Sequence, residues 1–278
     1  MKGLKRMSEK AIGVFDSGLG GLTAVKELVK VLPRENIIYF GDTARVPYGT
    51  RSRETIIKYA EQDADFLLSK GVKMVIAACG TVSSNAEGLA DALPVPFTGV
   101  ITPVAAAAAN ATKNGKVGVI GTSASVKSGA YEKEILKCNH KIKVYQQECP
   151  LFVPLVENGF ISENDDIVKL VVERYLSEMK REGIDTLILG CTHFPIIAKA
   201  ISNYLGRSVT LIDSGRETAL YAAHLLGTNH LLNTADKVGT CQFYVSDTVE
   251  SFRSTAEIFL GKSVDGEVSH ISIEQVEL

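Results

Sequence analysis

Short runs of consecutive apolar residues alternate along this chain with longer stretches whose apolar positions recur every three or four residues. The runs at 11–15 (AIGVF), 36–40 (NIIYF), 72–78 (VKMVIAA), 95–100 (VPFTGV), 116–120, 142–146, 185–190, 208–212 and 241–245 have the length and composition of strands. Helical patterns fill most of the intervals, over 20–32, 52–70, 102–113, 165–182 and 214–227. A strand that is apolar at nearly every position is covered on both faces. Strands of that kind separated by helices predict an α/β fold with doubly wound parallel sheets.

The pattern also repeats itself. AIGVFDSG (11–18) has an echo in KVGVIGTS (116–123), each a strand with glycine at its third position and a hydroxyl, Ser17 or Thr122, at its tip. Further on in each half a second strand ends on a cysteine, Cys79 in VIAACGTVSSN and Cys191 in LILGCTHFPII. The spacing from 17 to 79 nearly matches that from 122 to 191. Two pseudo-symmetric halves follow, a first domain of 1–99 plus 213–278, to which the chain returns, and a second of 100–212. Ligands of open α/β sheets bind beyond the carboxyl ends of the strands. Asp16, Ser17, Cys79, Thr81, Thr122, Cys191, Thr192 and His193 are all expected there, and if the halves face one another two thiols meet across a cleft.

Composition narrows the choices. With 278 residues, 45% hydrophobic and 22% charged, the chain has the make-up of a globular protein with room for two cores. A net charge of −2 and no Lys/Arg block speak against nucleic acid as a partner. No apolar run is long enough for a membrane span, and the leader MKGLKRMSEK lacks the apolar segment of a signal peptide, so it reads as a solvated tail. Five cysteines, an odd number, suggest free thiols and a cytoplasmic protein.

Each candidate side chain also has an ordinary explanation. Free cysteines are commonly small buried hydrophobes, which suffices for Cys149 and Cys241. The duplicated setting of Cys79 and Cys191 argues otherwise, because a thiol at a helix start has its thiolate favoured. Cys138 and His140 form a C-x-H with no second pair at ligand spacing, so no metal is expected. His193 could pack locally, but its place beside Cys191 suits proton handling, and Glu157 in an apolar stretch could orient it. FDSGLGG (15–21) lacks the spacing of a phosphate loop, and no site for another cofactor is legible. GDTARVPYG (41–49) is a turn-forming loop placed for substrate contacts. Opposed thiols without metal or cofactor suit removal and return of a proton at a stereocentre.

FDSGLGGLTA, GDTARVPYG, the Cys79 turn, CPLFVPLVE and GCTHFP occur in this order, and in them the sequence resembles the glutamate racemases, from about Ile12 to at least Phe259. The resemblance implies two α/β domains with the site between them, a homodimer, no cofactor, and D-glutamate supplied for bacterial peptidoglycan. It implies Cys79 as the base acting on D-glutamate and Cys191 as the base acting on L-glutamate. Asp16 would assist the first thiol, and His193 with Glu157 the second. Substrate contacts would come from Asp16, Ser17, Tyr48, Gly49, Gly80, Thr81, Thr122, Thr192 and His193. One position departs from the family pattern, because Gly80 stands where asparagine usually contacts the substrate. Gly80 is read here as letting the backbone approach the substrate, so that Gly80→Asn should fold. Racemisation of aspartate or another small acid is the same-fold alternative. Some family members are reported to inhibit DNA gyrase, which would add a partner-binding role to catalysis.

Overall fold

The computed structural model of the protein describes residues 7–264 and 266–273, so most of the basic leader lies outside the described residues. Among the described residues ten strands form two all-parallel sheets. They are β1 (Ile12–Asp16), β2 (Ile37–Gly41), β3 (Met74–Ala77), β4 (Phe97–Gly99), β5 (Lys116–Gly121), β6 (Lys143–Glu148), β7 (Thr186–Leu189), β8 (Thr210–Asp213), β9 (Cys241–Val245) and β10 (Glu267–His270). The six-stranded sheet has the order β10-β9-β2-β1-β3-β4 and the four-stranded sheet the order β6-β5-β7-β8. The core of the first, 2-1-3-4, is thus repeated in the second as 6-5-7-8. Every residue of β1, β2, β3 and β7 is buried, as strands covered on both faces require.

The five helices read from the sequence are present at Leu22–Val31, Arg53–Ser69, Ile101–Ala111, Asp166–Glu182 and Ser214–Thr228. Their ends follow local chemistry. Ser52 and Asp165 cap the second and fourth through side-chain oxygens that accept backbone N–H groups, and Gly183 closes the fourth in a left-handed conformation. The pattern passed over β10 and short helices such as Gly80–Asn85, Ser123–Lys127, Ala130–Cys138 and Phe152–Glu157. Apart from the nine-residue Ala130–Cys138, these helices have six residues or fewer, less than two turns of period, and the polar β10 has partly exposed faces at the sheet edge.

The glycine repeated at the third strand position has a packing cause. A Cβ on Gly13 would lie 3.1 Å from Leu67 Cδ1, and one on Gly118 would lie 2.6 Å from Ile184 Cδ1 and 3.0 Å from Met179 Sδ. In both sheets a covering helix presses onto the central strand at that point. The helix at 214–228 packs on those at 22–31 and 101–111, and one apolar cluster runs from Ile12 and Leu22 through Leu187 and Phe194 to Phe252 and Phe259. The two domains share that apolar packing instead of hanging from a linker.

A buried charge ties the far end of the first sheet together. Lys73 Nζ lies 2.5 Å from Glu35 Oε2 and donates to the carbonyls of Ser8 (2.5 Å) and Leu231 (2.8 Å), while Glu35 Oε1 accepts from Asn233 N–H at 2.7 Å. Both side chains are buried. Removing one partner leaves the other charge without compensation in a low-dielectric setting. Lys73→Met is therefore expected to lower the unfolding free energy by about 3–5 kcal/mol, measured by urea titration. A loss below about 1 kcal/mol would show that the carboxylate finds water when the lysine is gone.

Candidate active site

In an order 2-1-3-4 the connections leave β1 and β3 toward opposite sides of the sheet, and a crevice opens beyond their carboxyl ends. β1 ends on Asp16 and Ser17, and β3 is followed by Cys79. The corresponding gap in the second sheet lies between β5, followed by Thr122, and β7, followed by Cys191, Thr192 and His193. The residues expected at strand ends therefore stand at two switch points, and the structure brings those switch points face to face.

Several contacts near the thiols cross between the domains. Thr81 Oγ1 and Thr122 Oγ1 are 3.0 Å apart, and Thr23 Oγ1 donates to the Thr192 carbonyl at 3.1 Å. A Cβ on Gly49 would lie 3.0 Å from Thr122 Cβ. One on Gly20 would collide with the Thr192 hydroxyl. Cys79 is 5% and Cys191 7% exposed, so both sulfurs are almost withdrawn from water. A groove lined by Gly18, Leu19, Val46, Glu157, Phe252 and Thr255 leads up to the β1 tip from outside.

The two sulfurs have different company. Cys79 Sγ donates to Ser17 Oγ at 3.3 Å, and burial followed by the charge of Asp16 pushes its pKa up to about 12. The sequence suggested a stabilised thiolate here. The helix that Cys79 precedes has only six residues, and desolvation outweighs its dipole, so Cys79 rests as a thiol. Asp16 is 1% exposed, with Oδ2 accepting from Gly18 N–H at 3.0 Å and Oδ1 unpartnered among the described residues. Burial raises its pKa, opposed by the charge of His193.

Cys191 Sγ lies 3.7 Å from His193 Nδ1, and His193 Nε2 lies 3.0 Å from Glu157 Oε1. Burial works against the imidazolium, but the hydrogen bonds to Cys191 and Glu157 outweigh it and push the His193 pKa up to about 10. As an imidazolium the ring donates from both nitrogens, to the sulfur and to the carboxylate. Phe259 meets the ring edge-on with centroids 5.0 Å apart, which fixes its plane.

Two expectations change. Tyr48, read as a substrate contact, is 1% exposed, with its hydroxyl bonded to Asp42 and, at 3.2 Å, to Asp63 Oδ2. Arg45 completes this knot with 2.9 Å to Asp63 and 2.5 Å to both Asp42 and Gln62. The Tyr48 side chain thus anchors the 41–49 loop, and only its backbone is available to the cleft beside Gly49. Gly80, read as open toward substrate, is helical and faces the other domain. A Cβ there would overlap the Gly190 carbonyl oxygen, so Gly80→Asn does not fit without separating backbone from backbone. Tyr131, Gly20 and Thr23 also adjoin the site, and the sequence pattern did not single them out. Tyr131 lies in the nine-residue helix Ala130–Cys138, which the pattern reading passed over. Gly20 and Thr23 belong to the quoted FDSGLGGLTA, but nothing in the sequence says that their partners are on the other domain.

Among the described residues no group of three or more His, Cys, Asp and Glu side chains could hold a metal ion, and no helix is long and apolar enough to cross a membrane. Two pseudo-symmetric α/β domains thus face one another with a buried cysteine on each wall and the His193 ring beside one of them. Residues 12–222 match the family of Asp/Glu/hydantoin racemases, and the chain belongs to that family. It is 44% identical to a glutamate racemase of Geobacter metallireducens over 269 residues, covering 96% of this chain and 98% of the other. A glutamate racemase of Enterococcus faecalis is 41% identical over 273 residues, covering 98% and 97%. The crystal structure of glutamate racemase from Francisella tularensis in complex with D-glutamate superposes with a TM-score of 0.88 at 44% identity, covering 96% and 99%.

The His193 geometry has a consequence for stability. A folded-state pKa of about 10, above the ordinary 6.5, means that the folded protein keeps a proton the unfolded chain gives up. The resulting stabilisation is fully present below about pH 6.5, declines as pH rises, and is gone above about pH 10. Urea unfolding of the wild type across this window should show that decline, with a flatter profile for His193→Gln. Parallel profiles would mean that the ring is neutral in the folded state.

Proposed function

We infer that this protein is a racemase that interconverts L- and D-glutamate, and that Cys79 and Cys191 move the proton. Racemisation of glutamate follows from membership in the family at 44% identity over nearly the whole chain. The observation that carries the two-thiol reading is the meeting of equivalent strand-end cysteines across a closed cleft.

The acid–base setting supports a direction for each group. With L-glutamate bound, the Cys191 thiolate, beside the His193 imidazolium, takes the proton from Cα. The electron pair left on carbon spreads into the adjoining carboxylate. The Cys79 thiol, kept protonated by burial and Asp16, delivers its proton to the opposite face and leaves as thiolate. The product is D-glutamate, and exchange of protons with solvent resets the two sulfurs. The reverse reaction starts with Cys79 as base, where Asp16 assists. The carbon acid is weak, so the developing negative charge needs fixed donors in a space without water. Backbone N–H groups at the β1 tip and the 48–49 turn, with the hydroxyls of Ser17, Thr81, Thr122 and Thr192, are proposed to hold the substrate there.

The proposal extends to domains at 1–99 with 213–278 and 100–212, supported by β9 and β10 joining the six-stranded sheet. It also includes action as a homodimer in the cytoplasm, without cofactor and without nucleic acid as a partner, with D-glutamate supplied for peptidoglycan. The homodimer, the lack of a cofactor and the supply of D-glutamate rest on the family resemblance, and the cytoplasm and the absence of nucleic acid on the odd number of cysteines and the net charge of −2.

Cys79→Ser and Cys191→Ser are each expected to cut racemisation by about 10²–10⁴-fold, followed by polarimetry on D- and L-glutamate without added cofactor. Cys241→Ser, in β9 and outside the cleft, should leave the rate unchanged. Near-wild-type turnover by either cleft variant would rule out the two-thiol scheme, and faster turnover of aspartate in the same assay would change the substrate.

A further inference from the structure

Gly80 directly follows one cleft cysteine, and Gly190 directly precedes the other. The two domains touch at this pair of residues, backbone against backbone: a Cβ on Gly80 would lie only 2.3 Å from the Gly190 carbonyl oxygen. That oxygen has little freedom to give way. A Cβ on Gly190 itself would meet Ile120 O at 2.5 Å and Tyr131 Oη at 3.1 Å, so the Gly190 turn is wedged from behind. Tyr131 Oη donates to the Gly190 carbonyl at 3.2 Å, and Tyr131 is completely buried in an apolar cluster with Val104, Val119, Ile135 and Ile188. Its hydroxyl is also 3.3 Å from where the Gly80 Cβ would be, so one phenol adjoins both cysteine turns.

We propose that Gly80 and Tyr131 are positioning residues that set the span between the two thiols, with the Gly190 carbonyl as the stop between them. The proposal rests on the two-thiol reading above. A proton can leave one face of a carbon and another arrive at the opposite face only if both sulfurs lie within about 3–3.5 Å of their reacting partners, and an error of about 1 Å can cost 10²-fold. A contact one residue away from each sulfur governs that span more directly than any other pair in the cleft. It also assigns the glycine at position 80 a function that does not involve the substrate. Asparagine there would hold the turns apart, and glycine lets them close to contact.

The test uses the full chain in heavy water with L- or D-glutamate at low conversion. Chiral separation and mass spectrometry give two rates, Cα deuterium entering recovered substrate and deuterium entering inverted product. Gly80→Ala is expected to lower kcat by about 10²-fold with KM within about threefold, and to raise the ratio of exchange without inversion to inversion by about tenfold. Abstraction by the near thiol continues, but the far thiol no longer reaches the carbon. Tyr131→Phe, which removes one oxygen and keeps the shape, should lower kcat by about 3–10-fold and raise the same ratio by about threefold.

A fall in kcat with an unchanged ratio in both variants overturns the proposal, since a general loosening slows exchange and inversion alike. So do kcat values within twofold of wild type. If Gly80→Ala does not fold by circular dichroism, Tyr131→Phe decides alone. Cys79→Ser and Cys191→Ser run in parallel keep the two readings apart: wild-type turnover in those controls would sink the two-thiol scheme whatever the glycine variant does.

Discussion

A hydrogen on the α-carbon of an amino acid is so weakly acidic that a thiol can move it only where water is excluded and the charge appearing on carbon meets fixed donors. On the two-thiol proposal, exclusion of water from the space between Cys79 and Cys191 is the constraint to which the rest of the structure answers. The switch points of two parallel sheets supply two sets of strand ends with outward backbone. Thr81 against Thr122, Thr23 against the Thr192 carbonyl and Gly80 against the Gly190 carbonyl then shut the space between them. The glycines at 20, 49 and 80 belong to the same closure, because a Cβ on each would meet the opposite domain.

Dry surroundings would make two equal thiols equally poor bases, and the structure avoids that by dressing them differently. Burial and the buried Asp16 carboxyl keep Cys79 protonated against the opposing pull of its hydrogen bond to Ser17, whereas Cys191 has the buried His193 ring, held by Glu157, beside it. Pseudo-symmetry of the backbone thus carries asymmetric chemistry. At equilibrium the two enantiomers are equal in energy, so kcat/KM must be the same in both directions. The asymmetry can divide kcat from KM differently for each enantiomer without favouring either.

Much of this was legible in the order of residues. Nine apolar runs correspond to nine of the ten strands, and the paired cysteines located the cleft, because strand periodicity and internal repetition are local properties. Features that depend on what lies opposite were not legible. Nothing around Tyr48 says that its hydroxyl is taken by Asp42 and Asp63, and nothing around Cys79 says that burial defeats a six-residue helix. Gly80 is the clearest instance. By itself it reads as freedom to approach a ligand, and only the other domain shows that the freed space is filled by a carbonyl.

The chain passes from the first sheet to the second between β4 and β5, and back after β8. Two tethers have a mechanical meaning that one would lack. A body joined at a single point can swivel about any axis, but a body joined at two can turn only about the line between them. On the two-thiol proposal, a hinge of that kind would let the walls part like the covers of a bound book, with the pages in register, and would bring Cys79 and Cys191 back to the same opposition.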